Sequence, residues 1–209
     1  MPQGSKMEKA MSRISADEAL QRLIDGNQRF QRGETRAPTL QKEILAQLAH
    51  GQHPYATILG CSDSRVPPEL IFDAGLGELF VVRVAGNVLS PEVSGSLQYA
   101  GAHLNTSLFV ILGHAGCGAV KAALDTKVHG IQQRSRIQIL VDNIMPGLSE
   151  VDPQLPPSAQ LERAVEANVR WTMRQILETP EAQVRIAEGR MKLVGGIFDI
   201  ASGHVRFMS

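Results

Sequence analysis

Two short segments hold most of the residues whose types and spacing can do chemistry. Gly60-Cys61-Ser62-Asp63-Ser64-Arg65 contains one of the chain's two cysteines. Gly113-His114-Ala115-Gly116-Cys117-Gly118 contains the other, beside one of six histidines. Two thiolates and an imidazole form a soft to borderline donor set suited to zinc. His114 and Cys117 are three residues apart, so both can face one ion from a turn that enters a helix, with Cys61 supplying a third bond from the other segment. Three protein ligands leave the fourth tetrahedral position to water, which is the layout of a catalytic site. Zinc with two thiolates is formally neutral, so it acidifies its water less than an all-histidine site would, and a neighbour is needed to hold the hydroxide. Asp63 is placed for that role, and Arg65 can keep its carboxylate ionised and oriented through a charge-assisted pair. Direct binding of Asp63 to the metal would instead close the site.

The same residues have plainer readings. A cysteine after a strand is most often a small buried hydrophobe, and an Asp-x-Arg pair is most often a structural ion pair. His114 beside Cys117 also describes a cysteine nucleophile with its base. What favours a metal is the coincidence of both segments at strand ends, with no spare cysteine elsewhere. His50, His53, His103, His129 and His204 have no comparable setting, although His53 and His129 would serve as proton relays if exposed near the mouth. Gly113, Gly116 and Gly118 lack the Lys-Ser/Thr of a phosphate loop and the spacing of a dinucleotide fingerprint.

The positioning elements follow from periodicity. Ser15-Ala16-Asp17-Glu18 has capping-box spacing, and Leu20, Leu23, Ile24 and Phe30 follow on one helical face. Residues 33 to 38 break that pattern, and Leu40, Ile44, Leu45 and Leu48 predict a second helix ending near Gly51. Beyond it, Tyr55–Leu59, Leu79–Val84, Leu108–Leu112 and Leu193–Phe198 read as buried strands. Ser94–Leu104, Ala115–Leu124, Ile137–Ile144 and Ser158–Leu177 read as helices, with another short one from Pro180. Residues 145–157 read as a loop, Gly195-Gly196 as close packing of a late strand, and His204–Phe207 as a terminal edge strand. Strands alternating with helices predict an α/β fold: a mostly parallel central sheet flanked by helices, with a helical arm over residues 1–50 and an α/β body over residues 51–209. In such folds ligands bind beyond the carboxyl ends of the strands, where both chemical segments fall.

Composition narrows the function classes. The 209 residues carry 21 Lys plus Arg against 21 Asp plus Glu, so no net charge favours nucleic acid or an anionic membrane. Nine aromatic side chains are few for a base-stacking platform. No apolar run approaches the ~18 residues that span a bilayer. The amino-terminal segment is polar, with Met7 and Met11 as alternative starts, and lacks the apolar core of a signal peptide. Two cysteines do not make a disulfide scaffold, and a reducing, cytoplasmic setting is expected.

Cys61-Ser-Asp-Ser-Arg65, followed at a distance by His114-x-x-Cys117-Gly118, resembles the β-class carbonic anhydrases. The similarity extends to Gly77–Asn87, to Ser96–Ala100 and to Leu193–Asp199, and covers roughly Gln52 to Phe207. It implies a chain that reversibly hydrates carbon dioxide to bicarbonate and a proton. By position, Cys61, His114 and Cys117 would bind one zinc ion, and Asp63 and Arg65 would form the catalytic dyad. Gln52, Phe80, Ala85, Tyr99 and Gly118 would surround the substrate, with Gln52 offering an amide to bicarbonate and Phe80 and Tyr99 an apolar wall. The family often has a larger apolar residue at Ala85. One subgroup has a regulatory bicarbonate site built on Trp, Arg and Tyr. Here Ile58 stands at the Trp position while Arg83 matches the Arg, so the open form without that regulation is expected. The resemblance also implies a homodimer or higher oligomer, a tetramer among them, with pocket residues from both subunits. Some relatives hydrolyse carbonyl sulfide or carbon disulfide with the same constellation. A non-catalytic zinc-stabilised module, with Asp63 as fourth ligand, and a cysteine hydrolase are the rivals of a different class.

Overall fold

The computed structural model describes residues 14–36 and 42–208. Met7, Met11 and the expected helix start at Leu40 lie outside these residues.

Five strands form one sheet: β1 (Ala56–Gly60), β2 (Leu79–Arg83), β3 (Leu108–His114), β4 (Lys192–Phe198) and β5 (Val205–Met208). Their order is β2-β1-β3-β4-β5. The first four are parallel, and β5 runs antiparallel to β4 as the terminal edge strand. All of β1 and β3 is buried, which explains why these strands read as continuous apolar runs without alternation. The buried residues nevertheless divide by parity. Ile58, Val110 and Leu112 join one core with side chains of α1 (Ala16–Arg32), α5 (Gly118–His129) and α6 (Ile137–Ile144). Leu59, Phe109 and Ile111 join a second core with α4 (Pro91–Ala102) and α8 (Pro180–Ala187). The long helix α7 (Pro157–Leu177) contributes to both, and helices flank the sheet as expected.

Register decides where the chemical segments emerge. Gly60 lies opposite Arg83 on β2 and Leu112 on β3. The segments that follow β1, β2 and β3 therefore leave the sheet together, at one edge. Close packing supports this edge from below. A Cβ on Gly113 would stand 2.6 Å from Val169 Cγ2, so only glycine lets β3 lie this near α7. Gly195 is similarly pressed, with Met208, Met173 and Val169 atoms within 3.0 Å of a Cβ position, in keeping with the close packing expected there.

The arm is fastened to the body by polar contacts. Ser15 and Glu18 form the expected capping box, and Gly33 ends α1 in the left-handed region with φ 69°. Asn27, buried in α1, donates to the carbonyls of Ile71 and Gly203 and accepts from the Val205 amide. Arg29 and Arg36 both bond the buried Asp73 carboxylate. The second helix, α2 (Lys42–Leu48), follows as expected.

Several elements differ from expectation. A single-turn helix, α3 (Pro68–Ile71), was not expected; Pro68 occupies its first position, where proline costs nothing. Helix α4 starts at Pro91 rather than Ser94, because Ser90 caps it through the Val93 amide. Helix α5 begins at Gly118 rather than Ala115 and runs on to His129, since Gly116, at φ 67°, keeps the preceding residues in a turn. The segment expected to be a loop opens with a 3₁₀ turn over Met145–Leu148. Among the described residues no helix is long and apolar enough to cross a membrane.

Candidate metal centre

Cys61 follows β1 directly, His114 is the last residue of β3, and Cys117 caps the amino end of α5. The adjacency of β1 and β3 brings them together. Their donor atoms all lie within 4.8 Å of one another, with the two sulfurs 4.0 Å apart. All three side chains are buried. His114 Nδ1 lies 3.0 Å from the Ala115 carbonyl. An oxygen there can only accept, so the proton sits on Nδ1 and Nε2 presents its lone pair. Nε2 is buried without a hydrogen-bond partner among the described residues. A buried, unpaired acceptor is costly, and one aimed at two thiols fits a zinc ion in donor type, number and proximity.

The thiols are polarised against each other. The Cys117 thiol donates to Cys61 and pushes the Cys61 ionisation down against the opposing effect of burial, with the neighbouring His114 ring and then the Gly86 amide helping. The same hydrogen bond, burial and the neighbouring negative sulfur push Cys117 up. Without a cation the pair therefore retains a proton, and a divalent ion is what would let both ionise.

Asp63 stands beside this cluster, with Oδ2 3.9 Å from His114 Nε2. Arg65 holds it from the far side, Nε to Oδ1 at 2.9 Å and Nη2 to Oδ2 at 2.7 Å, and the Arg65 amide adds a bond to Oδ1 at 3.0 Å. These bonds hold the carboxyl well below the usual carboxylate range, although partial burial opposes them. Arg83, at the end of β2, donates to the carbonyls of Cys61 at 2.9 Å and Asp63 at 2.6 Å. It therefore pins the backbone of the segment that carries both residues.

The expected pocket residues fall into two groups. Ala85 and Gly118 are at the centre: Ala85 precedes the glycine whose amide meets Cys61, and Gly118 follows Cys117. A Cβ on Gly118 would meet nothing within 4 Å, so the space beside it is open. Gln52, Phe80 and Tyr99 are not brought to the same chain's centre. Gln52 precedes β1, and Phe80 lies opposite Thr57, so both sit roughly 10 Å or more back along the sheet from Cys61, at ~3.3 Å per residue. Tyr99 packs with Phe80, the ring centroids 6.1 Å apart. His53 lies at that same far end, and His129 ends α5 roughly 16 Å from its start, so neither stands at the mouth within one chain.

Two contributors were missed in the sequence. Asn168 and Thr172 are buried on α7 and bond the backbone that follows β2. Their signal was present: two polar residues four apart, on a face where Val165, Val169 and Ile176 are apolar.

The family model described as carbonic anhydrase matches residues 56–205. The chain is 39% identical over 189 residues to carbonic anhydrase 2 of Mycobacterium tuberculosis, covering 87% of each. It is 38% identical over 195 residues to a carbonic anhydrase of Mycolicibacterium smegmatis, covering 90% of each. Among solved structures it is similar to the β-carbonic anhydrase CcaA, with a TM-score of 0.73 and 29% identity over 92% of this chain and 88% of that one. It is also similar to tetrameric β-carbonic anhydrases of Sordaria macrospora, with a TM-score of 0.72 and 27% identity over 80% of this chain and 86% of that one.

Proposed function

The chain belongs to the β-class carbonic anhydrases, and from that premise we propose that it hydrates carbon dioxide reversibly at one zinc ion held by Cys61, His114 and Cys117. Zinc, when bound, supplies the Lewis acidity that makes water nucleophilic near neutral pH, an effect for which carbonic anhydrases are themselves the standard illustration. Cys61 and Cys117 would balance the ion's charge as thiolates. His114 would present Nε2 in the tautomer that its bond to the Ala115 carbonyl selects.

Asp63 is the residue that orders the attacking oxygen. Kept ionised by Arg65, it can only accept, so it takes the hydrogen bond of a hydroxyl beside the three donors and turns a lone pair towards carbon. Its engagement with Arg65 supports the open form, in which Asp63 is no ligand. The space beside Ala85 and Gly118 suits a small linear substrate.

The remaining pocket residues are assigned to a second copy. Gln52, Phe80 and Tyr99 lie too far back to serve their own centre, and β2 is an edge strand whose apolar residues are only half-buried. A homodimer that covers this edge would deliver them to the partner's centre. The free, buried cysteines suit a reducing, cytoplasmic compartment.

The observation that carries the proposal is the buried, partnerless His114 Nε2 facing two cysteine sulfurs beside an arginine-locked carboxylate. Stripping the protein with a chelator should abolish carbon dioxide hydration, and one equivalent of zinc per chain should restore it. Undiminished turnover after complete metal removal would overturn the proposal.

A further inference from the structure

The turn after β2 is built in an unusual way. Gly86 and Asn87 are consecutive residues in the left-handed region, at φ 71° and φ 44°. Asparagine tolerates that region better than most residues but does not prefer it, so something must hold the turn. Side-chain packing by residue 86 cannot: a Cβ there would come within 2.7 Å of Ile144 Cδ1 and 3.1 Å of Ala119 Cβ. The hold comes from α7. Asn168 Nδ2 donates to the Gly86 carbonyl at 2.8 Å, and Thr172 Oγ1 donates to the Asn87 carbonyl at 3.2 Å. Both side chains are 1% exposed, and neither contact closes a turn of the helix that carries it.

The product of this turn is one hydrogen bond: the Gly86 amide reaches Cys61 Sγ at 3.4 Å. An N–H aimed at a thiolate withdraws electron density from sulfur and stabilises its charge in a buried setting. The bond's direction depends on the orientation of residues 86 and 87, which is what Asn168 and Thr172 fix.

We propose that Asn168 and Thr172 are positioning residues of the metal centre, which aim the Gly86 amide at Cys61 and so set how strongly that sulfur donates to zinc and how tightly the ion is held. This rests on the zinc reading above. Removing either donor leaves a buried carbonyl unpaired, releases the turn and turns the amide away from sulfur.

The test uses the full chain loaded with cobalt(II), whose sulfur-to-metal charge-transfer band reports sulfur donation, together with zinc affinity from chelator competition at one fixed pH. Thr172→Val keeps shape and removes the hydroxyl, Thr172→Ser restores it, and Asn168→Leu removes the amide donor. Ile176→Ala, on the same helix but away from the turn, controls for loss of stability alone. The expected result is a band shifted to lower energy and zinc binding ~10-fold or more weaker in Thr172→Val and Asn168→Leu, with both recovered in Thr172→Ser and unmoved in Ile176→Ala. A wild-type band and affinity in Thr172→Val would overturn the proposal, as would equal changes in Ile176→Ala. If Asn168→Leu does not fold, the Thr172 pair decides alone. Failure of the unmodified chain to take up either metal would overturn the zinc reading, and this proposal with it.

Discussion

Arg65 grips both carboxylate oxygens of Asp63, Nε to Oδ1 at 2.9 Å and Nη2 to Oδ2 at 2.7 Å. The fork leaves Asp63 no freedom to rotate towards the cysteines without breaking two charge-assisted bonds. Asp63→Asn should therefore keep its zinc and lose turnover, by about 100-fold on the scale of other oriented polar groups. Arg65→Lys should also lose turnover, because one ammonium cannot replace a planar fork. Metal analysis alongside stopped-flow rates checks both, and an Asp63→Asn enzyme of wild-type rate would remove Asp63 from the mechanism.

Cys61→Ser, His114→Gln and Cys117→Ser should each abolish stoichiometric zinc, since two remaining ligands do not close a structural or catalytic site. Metal content per chain after dialysis is the readout. Full retention in any one variant would remove that residue from the ligand set.

The proposed division of the pocket between two chains predicts complementation. Gln52→Ala has an intact centre but lacks an amide for its partner, while Cys61→Ser has no centre but an intact Gln52. Each alone should be nearly inactive. Mixed and allowed to exchange, they should recover roughly a quarter of wild-type turnover, the share expected for one working site in half of the two-site dimers. No recovery in verified heterodimers would place Gln52 outside the partner's pocket.

Much of the site was legible because chemistry clusters at strand ends. Cys61, His114 and Cys117 could be grouped from residue type and from the rule that ligands gather at the carboxyl edge of a parallel sheet. What periodicity could not supply was depth along the sheet. Phe80 and Tyr99 matched pocket positions, yet only the β1–β2 register shows that Phe80 sits far behind its own centre, with Tyr99 packed against it. Asn168 and Thr172 escaped notice for another reason. A buried polar residue is read as polar and exposed until the carbonyl it serves, more than eighty positions earlier, is seen. The helix cap at Ser90 was legible in principle, as a serine before proline, and was hidden by the apolar pattern that begins later.

Asp73 gives a prediction about acid stability. Burial alone would raise its ionisation, but the bonds from Arg29 and from the Arg36 amide and guanidinium outweigh it and hold the carboxyl below its usual value. A lowered folded-state value means that the stabilisation is complete above the unfolded carboxylate range, near pH 4, and fades as pH falls through the lowered value. Asp73→Asn should cost about 2 kcal/mol at neutral pH, and its difference from wild type should shrink below about pH 4. Denaturant unfolding at several pH values measures this. A difference that stays constant into strong acid would mean that the Asp73 charge is not what holds the arm.

Gly26 predicts a steric effect in the same arm. A Cβ there would lie against the Phe72 carbonyl oxygen, with 1.9 Å between them, so Gly26→Ala must lift α1 from the body. A loss of about 2 kcal/mol or more is expected, beyond the small helix-propensity gain of alanine. Equal or higher thermal stability in Gly26→Ala would show that α1 does not pack as described.

The most direct measurement is stopped-flow carbon dioxide hydration at mildly alkaline pH, on the unmodified chain with its zinc content determined, and with carbonyl sulfide and carbon disulfide offered in parallel. The account predicts about one zinc per chain and fast turnover of carbon dioxide. No carbon dioxide hydration by fully zinc-loaded protein would contradict it. Turnover confined to a sulfur-containing substrate would then reassign the same centre, and silence on all three would mark the site as closed.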